Sequence, residues 1–200
     1  FHNLYKELLN FCTVDLSAFY FDIRKDCLYC DSSQSEKRKS VIRFLNIILD
    51  SLLKWFALIL SFTTEEIFRL IYNNKKSVHL EKFVQFPEKI KNDKLNKKWI
   101  QLIKIRDVCN LSIEQKRAEK VIGSSLEASI NIKLDKKNLE IVKDIDFSEL
   151  CITSAANIEL IENSNLEVIT KKAEGNKCSV CWKIKPESCD RHGCGLTDVK

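Results

Sequence analysis

Apolar side chains recur at helical spacing from Val41 to Leu60, and this stretch constrains the fold more than any other. They cover more than one face of a helix, and a helix with so broad an apolar surface lies inside a bundle. Arg43, Asp50 and Lys54 interrupt the stretch. The uncharged run that remains is about ten residues, fewer than the roughly 18–20 that a membrane span needs. The pattern predicts a mainly α protein with a buried helix and no membrane partner.

The rest of the chain divides into segments of different character. We predict a helical bundle with its connector over residues 1–88, a basic helical region over 89–122, a small α/β unit over 123–172 and a cysteine-rich module over 173–200. Alternation from Ser129 to Leu134 is typical of a strand with one wet face.

Finer signals mark the ends of the elements. Two capping-box spacings predict helix starts, Ser33 with Glu36 and Thr63 with Glu66. Asn73 is expected to end the second of these helices. Ile158–Ile161 and Leu166–Thr170 are predicted strands, whereas Asn138–Val142 fits either a short helix or a strand.

Charge is distributed unevenly along the chain, whose net charge is +5. Residues 89–120 hold ten Lys or Arg against four Asp or Glu, a local balance of +6. Residues 124–170 hold four against nine, a balance of −5, and residues 171–200 return to +3. The two basic segments are therefore candidates for contact with phosphates, although lysine-rich helices are also common as plain solvated faces.

The nine cysteines form two groups. Five are scattered through apolar or helical surroundings, and four lie within the last 23 residues. An odd number of cysteines without a secretory signal does not indicate a disulfide framework. We therefore expect a reducing, cytoplasmic location.

The clustered cysteines have the spacing of metal ligands. Cys178 and Cys181 form a Cys-x-x-Cys pair, followed by Cys189 and Cys194. Two thiolates on one tight turn, completed by a second pair, suit a single structural Zn²⁺ in tetrahedral coordination. Four residues separate Cys189 from Cys194, whereas His192 stands at the usual spacing, so either Cys194 or His192 is a candidate fourth ligand. The favoured set is Cys178, Cys181, Cys189 and Cys194.

Several strings of residues have the form of family motifs. They are DLSAFYFD at 15–22 followed by KD at 25–26 and LYCD at 28–31, FTTEEI at 62–67, SVHL at 77–80 followed by FP at 86–87, RAEKVIGSSLEA at 117–128 and KCSVCW at 177–182. Together these strings resemble bacterial isoleucyl-tRNA synthetases. These strings occur in the family's order and at its spacing, from about residue 15 to residue 182. The chain departs from the family at Leu58 and Ser61, where prolines are usual. The resemblance implies an anticodon-binding helical bundle, followed by a small α/β unit and a C-terminal zinc knuckle.

The same resemblance implies that this chain binds a tRNA, specific for isoleucine, and works beside the catalytic and editing domains of one parent protein. The family's two ATP-binding signatures occur nowhere in these residues. We therefore expect the chain alone to be inactive, with ATP-dependent charging of tRNA performed by a catalytic domain outside it. Two other functions remain open, a free-standing tRNA-binding module and a protein-interaction bundle with a zinc staple.

Candidate contacts to the RNA follow from charge and aromatic character. Lysine and arginine side chains would contact the phosphates, and an aromatic ring would stack on an exposed base. Trp182 is the candidate stacking residue, with a lid over the metal site as its other interpretation. The basic candidates are Lys91, Lys94, Lys97, Lys98, Lys104 and Arg106 in the helical region and Lys183, Lys185 and Arg191 in the terminal module.

Overall fold

The structure, a computed structural model, describes residues 1–73, 76–161, 166–189 and 191. It divides into two compact units. The first contains Phe1–Ser32 and Asp93–Lys200, and the second contains Ser33–Asn92. Helices predominate and the strands are few, so the predicted mainly α class is confirmed.

The first unit begins with helical backbone from residue 2 to residue 30. Helix α1 (His2–Asn10) runs into a π-helical segment (Phe11–Phe21) and then into helix α2 (Asp22–Cys30). The residues at both junctions have right-handed helical dihedrals, so the helical path is unbroken. Cys30 closes α2 as a buried residue, which becomes important for the site described below.

The sheet of the first unit has three strands in the order β2-β1-β3. Strand β1 (Ala128–Leu134) is central, β2 (Ala155–Leu160) is parallel to it and β3 (Glu167–Lys172) is antiparallel. Buried and half-buried residues alternate along β1, as its sequence predicted. The strands predicted at 158–161 and 166–170 are also confirmed, with ends shifted by one to three residues.

Helix α5 (Asp93–Ala118) packs on the sheet. The buried residues of α5 are spaced three, four and four positions apart, so they lie on one face of the helix. They pack with the buried side chains of β1 in one hydrophobic core. Ser112 of α5 lies 2.7 Å from the hydroxyl of Thr170 in β3, so a polar contact also joins the two elements. The inward side chains of α5 are Leu102, Ile105, Cys109 and Ile113.

Two short helices link β1 to β2. Helix α6 (Lys136–Val142) settles the segment that the sequence left open between helix and strand. Helix α7 (Phe147–Leu150) is capped by Asp146, whose carboxylate accepts hydrogen bonds from the backbone of Ser148 and Glu149.

The second unit consists mainly of helices α3 (Glu36–Phe56) and α4 (Ser61–Tyr72). The predicted cap at Ser33 is wrong, because Ser35 accepts the hydrogen bond from the backbone N–H of Arg38 at 3.4 Å. The predicted start at Thr63 is also wrong, since α4 begins two residues earlier. Asn73 ends α4 in a left-handed conformation, as expected of an asparagine at a helix end. The core of this unit is Leu53, Ala57, Phe68 and Val78.

Glu65 of α4 fixes the connector that follows this helix. Its carboxylate accepts hydrogen bonds from the Ser77 hydroxyl at 2.8 Å and from the Val78 backbone N–H at 2.9 Å. The hydrogen bond from Ser77 and that from Val78 lower the pKa of Glu65 below its ordinary value. In the described part of the chain, no helix has the length and apolar character that crossing a membrane requires.

The sheet core yields a stability prediction. Ile132 is fully buried in the centre of β1, so Ile132→Ala should lower the free energy of unfolding by about 2–5 kcal/mol, measured by urea denaturation followed by circular dichroism. Lys133→Ala is the control, because Lys133 points to the other face and its ion pair with Glu167 is worth at most about 1 kcal/mol. Equal losses for the two variants would contradict the assigned faces of the strand.

Candidate nucleic-acid interface and metal centre

Three cysteine side chains converge in residues 176–189, a segment that we call the cysteine knuckle. The Sγ atoms of Cys178, Cys181 and Cys189 all lie within 4.8 Å of one another. The Sγ atoms of Cys181 and Cys189 are 3.8 Å apart, nearly twice the length of a disulfide bond. The sequence-predicted ligands that the structure describes are therefore brought together without forming a disulfide.

A short hairpin positions these cysteines. Strand β4 (Asn176–Lys177) pairs with β5 (Ile184–Lys185), and the turn between them carries the Cys-x-x-Cys pair. Gly175 enters the hairpin at φ 121°, and a Cβ there would overlap the backbone carbonyl of Lys185. Within the turn, the backbone N–H of Trp182 donates to the Cys178 carbonyl at 3.0 Å. The chain therefore folds tightly around the thiols.

The donor set fits a zinc ion. With a Zn–S length of about 2.3 Å, tetrahedral coordination separates neighbouring sulfur atoms by about 3.8 Å. The distance between the Sγ atoms of Cys181 and Cys189 has this value. The backbone N–H of Val180 also points to the Cys178 sulfur at 3.4 Å, a contact that stabilises a thiolate. The two candidates for a fourth ligand, His192 and Cys194, lie outside the described residues.

A fourth described cysteine lies beside the knuckle. Cys30, the last residue of α2, is buried against Cys181 and forms one apolar cluster with the knuckle. No spacing in the sequence connects residue 30 with residues 178–189, so sequence reasoning grouped it with the scattered cysteines. The end of α2 is thereby brought against the candidate metal centre.

The remaining buried cysteines have a different environment. The thiols of Cys109 and Cys151 are hydrogen-bonded to each other in the sheet core. That hydrogen bond and then burial raise the pKa of Cys109 far above its ordinary value. A cysteine held as a neutral thiol is a poor metal ligand and a poor nucleophile. These two residues are core residues, as their apolar surroundings in the sequence indicated.

Arg191 connects the knuckle region to α2 through an ion-pair network. Its guanidinium donates to both carboxylate oxygens of Asp26 at 2.7 Å and to the Asp31 carboxylate at 2.6 Å. Lys183 adds a longer contact of 3.8 Å to Asp26. Burial would lower the pKa of Arg191, but the hydrogen bonds and charges of Asp26 and Asp31 outweigh it and raise the pKa instead.

Two further contacts hold the hairpin on the α/β part of the unit. The backbone N–H of Ile184 donates to the Ser154 hydroxyl at 2.6 Å, and Ser154 in turn donates to the carbonyl of Leu126. Lys177 pairs with Glu127 at 3.1 Å. The knuckle is therefore bound to its unit on two sides, by α2 and by the segments around β1 and β2.

The structure sorts the predicted RNA contacts of the terminal module into two kinds. Trp182 is 60% exposed, so most of its surface is open to solvent. Lys183 and Arg191 are half-buried and paired with Asp26 of α2, and Arg191 also pairs with Asp31 just after that helix. Lys185 is half-buried in β5.

The predicted contacts of the basic region are sorted in the same way. Lys94, Lys97 and Lys104 are exposed on α5, and Lys98 is half-buried. Lys91 precedes the helix and pairs with Glu88 in solvent. Arg106 turns inward, where it donates to the Leu150 carbonyl at 2.9 Å and lies 5.2 Å from the ring centre of Phe19. The outward basic surface is therefore smaller than the sequence predicted.

The comparison with known protein families now defines the class of the chain. A family model described as the anticodon-binding domain of tRNA ligase matches residues 1–132, about two thirds of the chain. The chain therefore belongs to the family of anticodon-binding domains of tRNA ligases.

Individual relatives specify the kind of ligase. The chain is 65% identical over 192 residues to an isoleucine–tRNA ligase of Pelagibacter ubique, covering 96% of this chain and 21% of that protein. It is 41% identical over 195 residues to an isoleucine–tRNA ligase of Agrobacterium fabrum, covering 92% and 20%. The chain spans about a fifth of the length of these relatives. The resemblance indicated by the sequence motifs is confirmed.

The network around Arg191 yields a prediction about the knuckle. In a double-mutant cycle, Arg191→Gln and Asp26→Asn should show a coupling energy of about 1–3 kcal/mol, because they remove the two partners of one charge-assisted hydrogen-bonded pair. The measurement is the free energy of local opening from amide hydrogen exchange in residues 176–185. Lys25→Gln is the control, since its ion pair with Asp22 is exposed. Strictly additive effects of Arg191→Gln and Asp26→Asn would contradict this role.

Proposed function

We propose that this chain binds the anticodon arm of a tRNA within an isoleucine–tRNA ligase and holds it in register for charging by a catalytic domain elsewhere in the parent protein. The observation that carries the proposal is the match of residues 1–132 to anticodon-binding domains. The identity with isoleucine–tRNA ligases supports isoleucine as the amino acid.

The exposure of each basic or aromatic side chain decides the role that we propose for it. Lys94, Lys97 and Lys104 supply positive charge on the outside of α5, with Lys98 on the same helix, and positive charge binds the phosphate backbone whatever the sequence. Lys91, an exposed lysine of the second unit, is a further proposed phosphate contact. Trp182 supplies an exposed aromatic face for an unpaired base, with Lys185 near it in the hairpin. Arg106, Lys183 and Arg191 act by positioning helices and knuckle, because their side chains already contact protein groups.

We propose one structural Zn²⁺ in the knuckle, held by Cys178, Cys181, Cys189 and a fourth ligand from Cys194 or His192. Bound zinc would stabilise the turn that carries Trp182, because so short a hairpin has few apolar contacts of its own. The knuckle would then support RNA binding without taking part in any chemical step.

The other domains of the parent protein are the proposed protein partners, in a reducing cytoplasm. None of the eight described cysteines forms a disulfide, which is consistent with such a compartment. The second unit exposes large apolar side chains, with Phe62 93% exposed and Leu70 and Leu80 close behind. Exposed apolar surfaces of this kind are typical of contacts to protein. A protein-interaction role therefore stands beside RNA binding, on a different unit of the chain.

Salt dependence tests the phosphate contacts. Binding of an anticodon-arm RNA hairpin should weaken with added salt, by about 0.7–0.9 log units per log unit of salt for each phosphate contacted. Replacing both Lys97 and Lys104 by Ala should lower that slope by roughly one to two. The two residues lie seven positions apart, about two helical turns, so both reach the same side of α5.

A matched control is available on the acidic part of the unit. Lys137 and Lys143 are equally exposed lysines around α6, and replacing both by Ala removes the same charge. The slope should then stay near that of the unchanged chain. If both pairs lower the slope equally, the effect is one of net charge and the assigned face of α5 is wrong.

Metal analysis tests the knuckle. The purified chain should contain about one Zn²⁺, and Cys178→Ser should abolish stoichiometric zinc because a hydroxyl is a poor replacement for a thiolate. The helical circular dichroism should remain, since the cores of both units lie outside the knuckle. Cys12→Ser, in the π-helical segment, should leave the zinc content unchanged. Absence of zinc from the unchanged chain under reducing conditions would show that the three thiols are not a metal site.

A further inference from the structure

A groove of about 510 Å³ runs between α2 and the cysteine knuckle. This volume lies within the roughly 300–1,000 Å³ of sites that bind small molecules. Apolar side chains line it, among them Leu126, Ile152 and Val180. Two aromatic residues, Tyr29 of α2 and Trp182 of the knuckle, also border it.

Both aromatic rings are open to solvent. Tyr29 is 79% exposed and Trp182 is 60% exposed. Among the described residues, neither ring packs against another aromatic ring. Aromatic side chains contribute strongly when they are buried, so two rings left in solvent at one groove mark a binding surface.

The backbone around both rings is fixed before any ligand arrives. Trp182 has a left-handed φ of 63°, and its indole N–H donates to the Ser179 carbonyl at 3.2 Å. Tyr29 directly precedes Cys30, which is buried against the knuckle. A site whose backbone is held in place loses less entropy on binding, so this arrangement favours a ligand that contacts flat faces.

The polar groups of the groove complete the chemical description of its ligand. Asp22 and Lys25 form an exposed ion pair of 3.0 Å on the α2 side. A carboxylate accepts from the exocyclic amino group of a base, and an ammonium donates to a base carbonyl or a phosphate. Aromatic faces, an apolar lining and both polar functions together are what an unpaired RNA base requires.

We infer that this groove binds one unpaired nucleobase of the tRNA, which stacks on Tyr29 across the groove from Trp182. The inference rests on the proposed function and adds to it a base-contacting residue on α2, far from Trp182 in sequence. Tyr29 lies in the LYCD string at 28–31 that resembles the family, but nothing in the sequence marked it as a base contact.

The test measures binding of the 200-residue chain to an RNA hairpin with the sequence of the anticodon arm of isoleucine tRNA. Tyr29→Ala should weaken binding about 5- to 150-fold, and so should Trp182→Ala, the range found when a stacking ring is removed. Tyr29→Phe should retain most of the affinity, because it keeps the aromatic face. Tyr5→Ala is the matched control, since Tyr5 is an exposed tyrosine on α1.

A second arm separates stacking from a structural effect. The hairpin is prepared with each loop nucleotide in turn lacking its base, and each is bound to the unchanged chain and to Tyr29→Ala. If Tyr29 stacks on a base, the loss caused by Tyr29→Ala should disappear at one loop position only, because the partner of the ring is already gone there.

Every outcome decides between the two proposals. If the unchanged chain fails to bind any hairpin, the proposed function fails and this inference fails with it. If the chain binds but Tyr29→Ala binds equally well, only this inference is wrong, and the groove belongs to another ligand class such as a protein segment. If Tyr29→Ala weakens binding equally to every hairpin without a base, Tyr29 has a structural role and the stacking assignment is overturned.

Discussion

The contact of the cysteine knuckle with the end of α2 determines the shape of the candidate interface. One guanidinium nitrogen of Arg191 donates to both carboxylate oxygens of Asp26, and the neighbouring Cys30 is buried against Cys181. Ion pairs of this partly buried kind contribute little net stability compared with apolar packing, but breaking one leaves a charge without its partner. They therefore fix an orientation. Without this orientation, Tyr29 and Trp182 would not border one groove.

Charge is used for two purposes in this chain, and the structure separates them. Lysines on the outside of α5 face solvent and remain available to an RNA backbone. Arg106 and Arg191 contact carbonyl and carboxylate oxygens of the protein. The difference has a chemical basis, because the planar guanidinium forms several directed hydrogen bonds at once, whereas an ammonium is a hydrated point charge. Arg106 and Arg191, which the sequence predicted to contact RNA, therefore act in holding the protein's own elements together.

Local patterns predicted most of the fold, and contacts between distant residues account for what was missed. The alternation along β1 and the apolar spacing of α3 and α5 each depend on residues within one element, so the sequence alone could predict these elements. The cap predicted at Ser33 failed because the nearby Ser35 takes that role, and the one predicted at Thr63 failed because α4 begins after Leu60 with no side-chain cap. The Cys-x-x-Cys pair was likewise local. Cys30, Asp26 and Tyr29 lie about 150 residues from the knuckle in sequence, and only the fold brings them to it.

The central claim is that this chain recognises the anticodon arm of a tRNA. The most direct measurement compares the affinity of the chain for two RNA hairpins of similar length and charge, one copying the anticodon arm of isoleucine tRNA and one copying its acceptor stem. Phosphate contacts alone would bind both hairpins alike, since they carry no sequence information. The account predicts clearly tighter binding of the anticodon hairpin at physiological salt. Equal affinities for the two hairpins would contradict it.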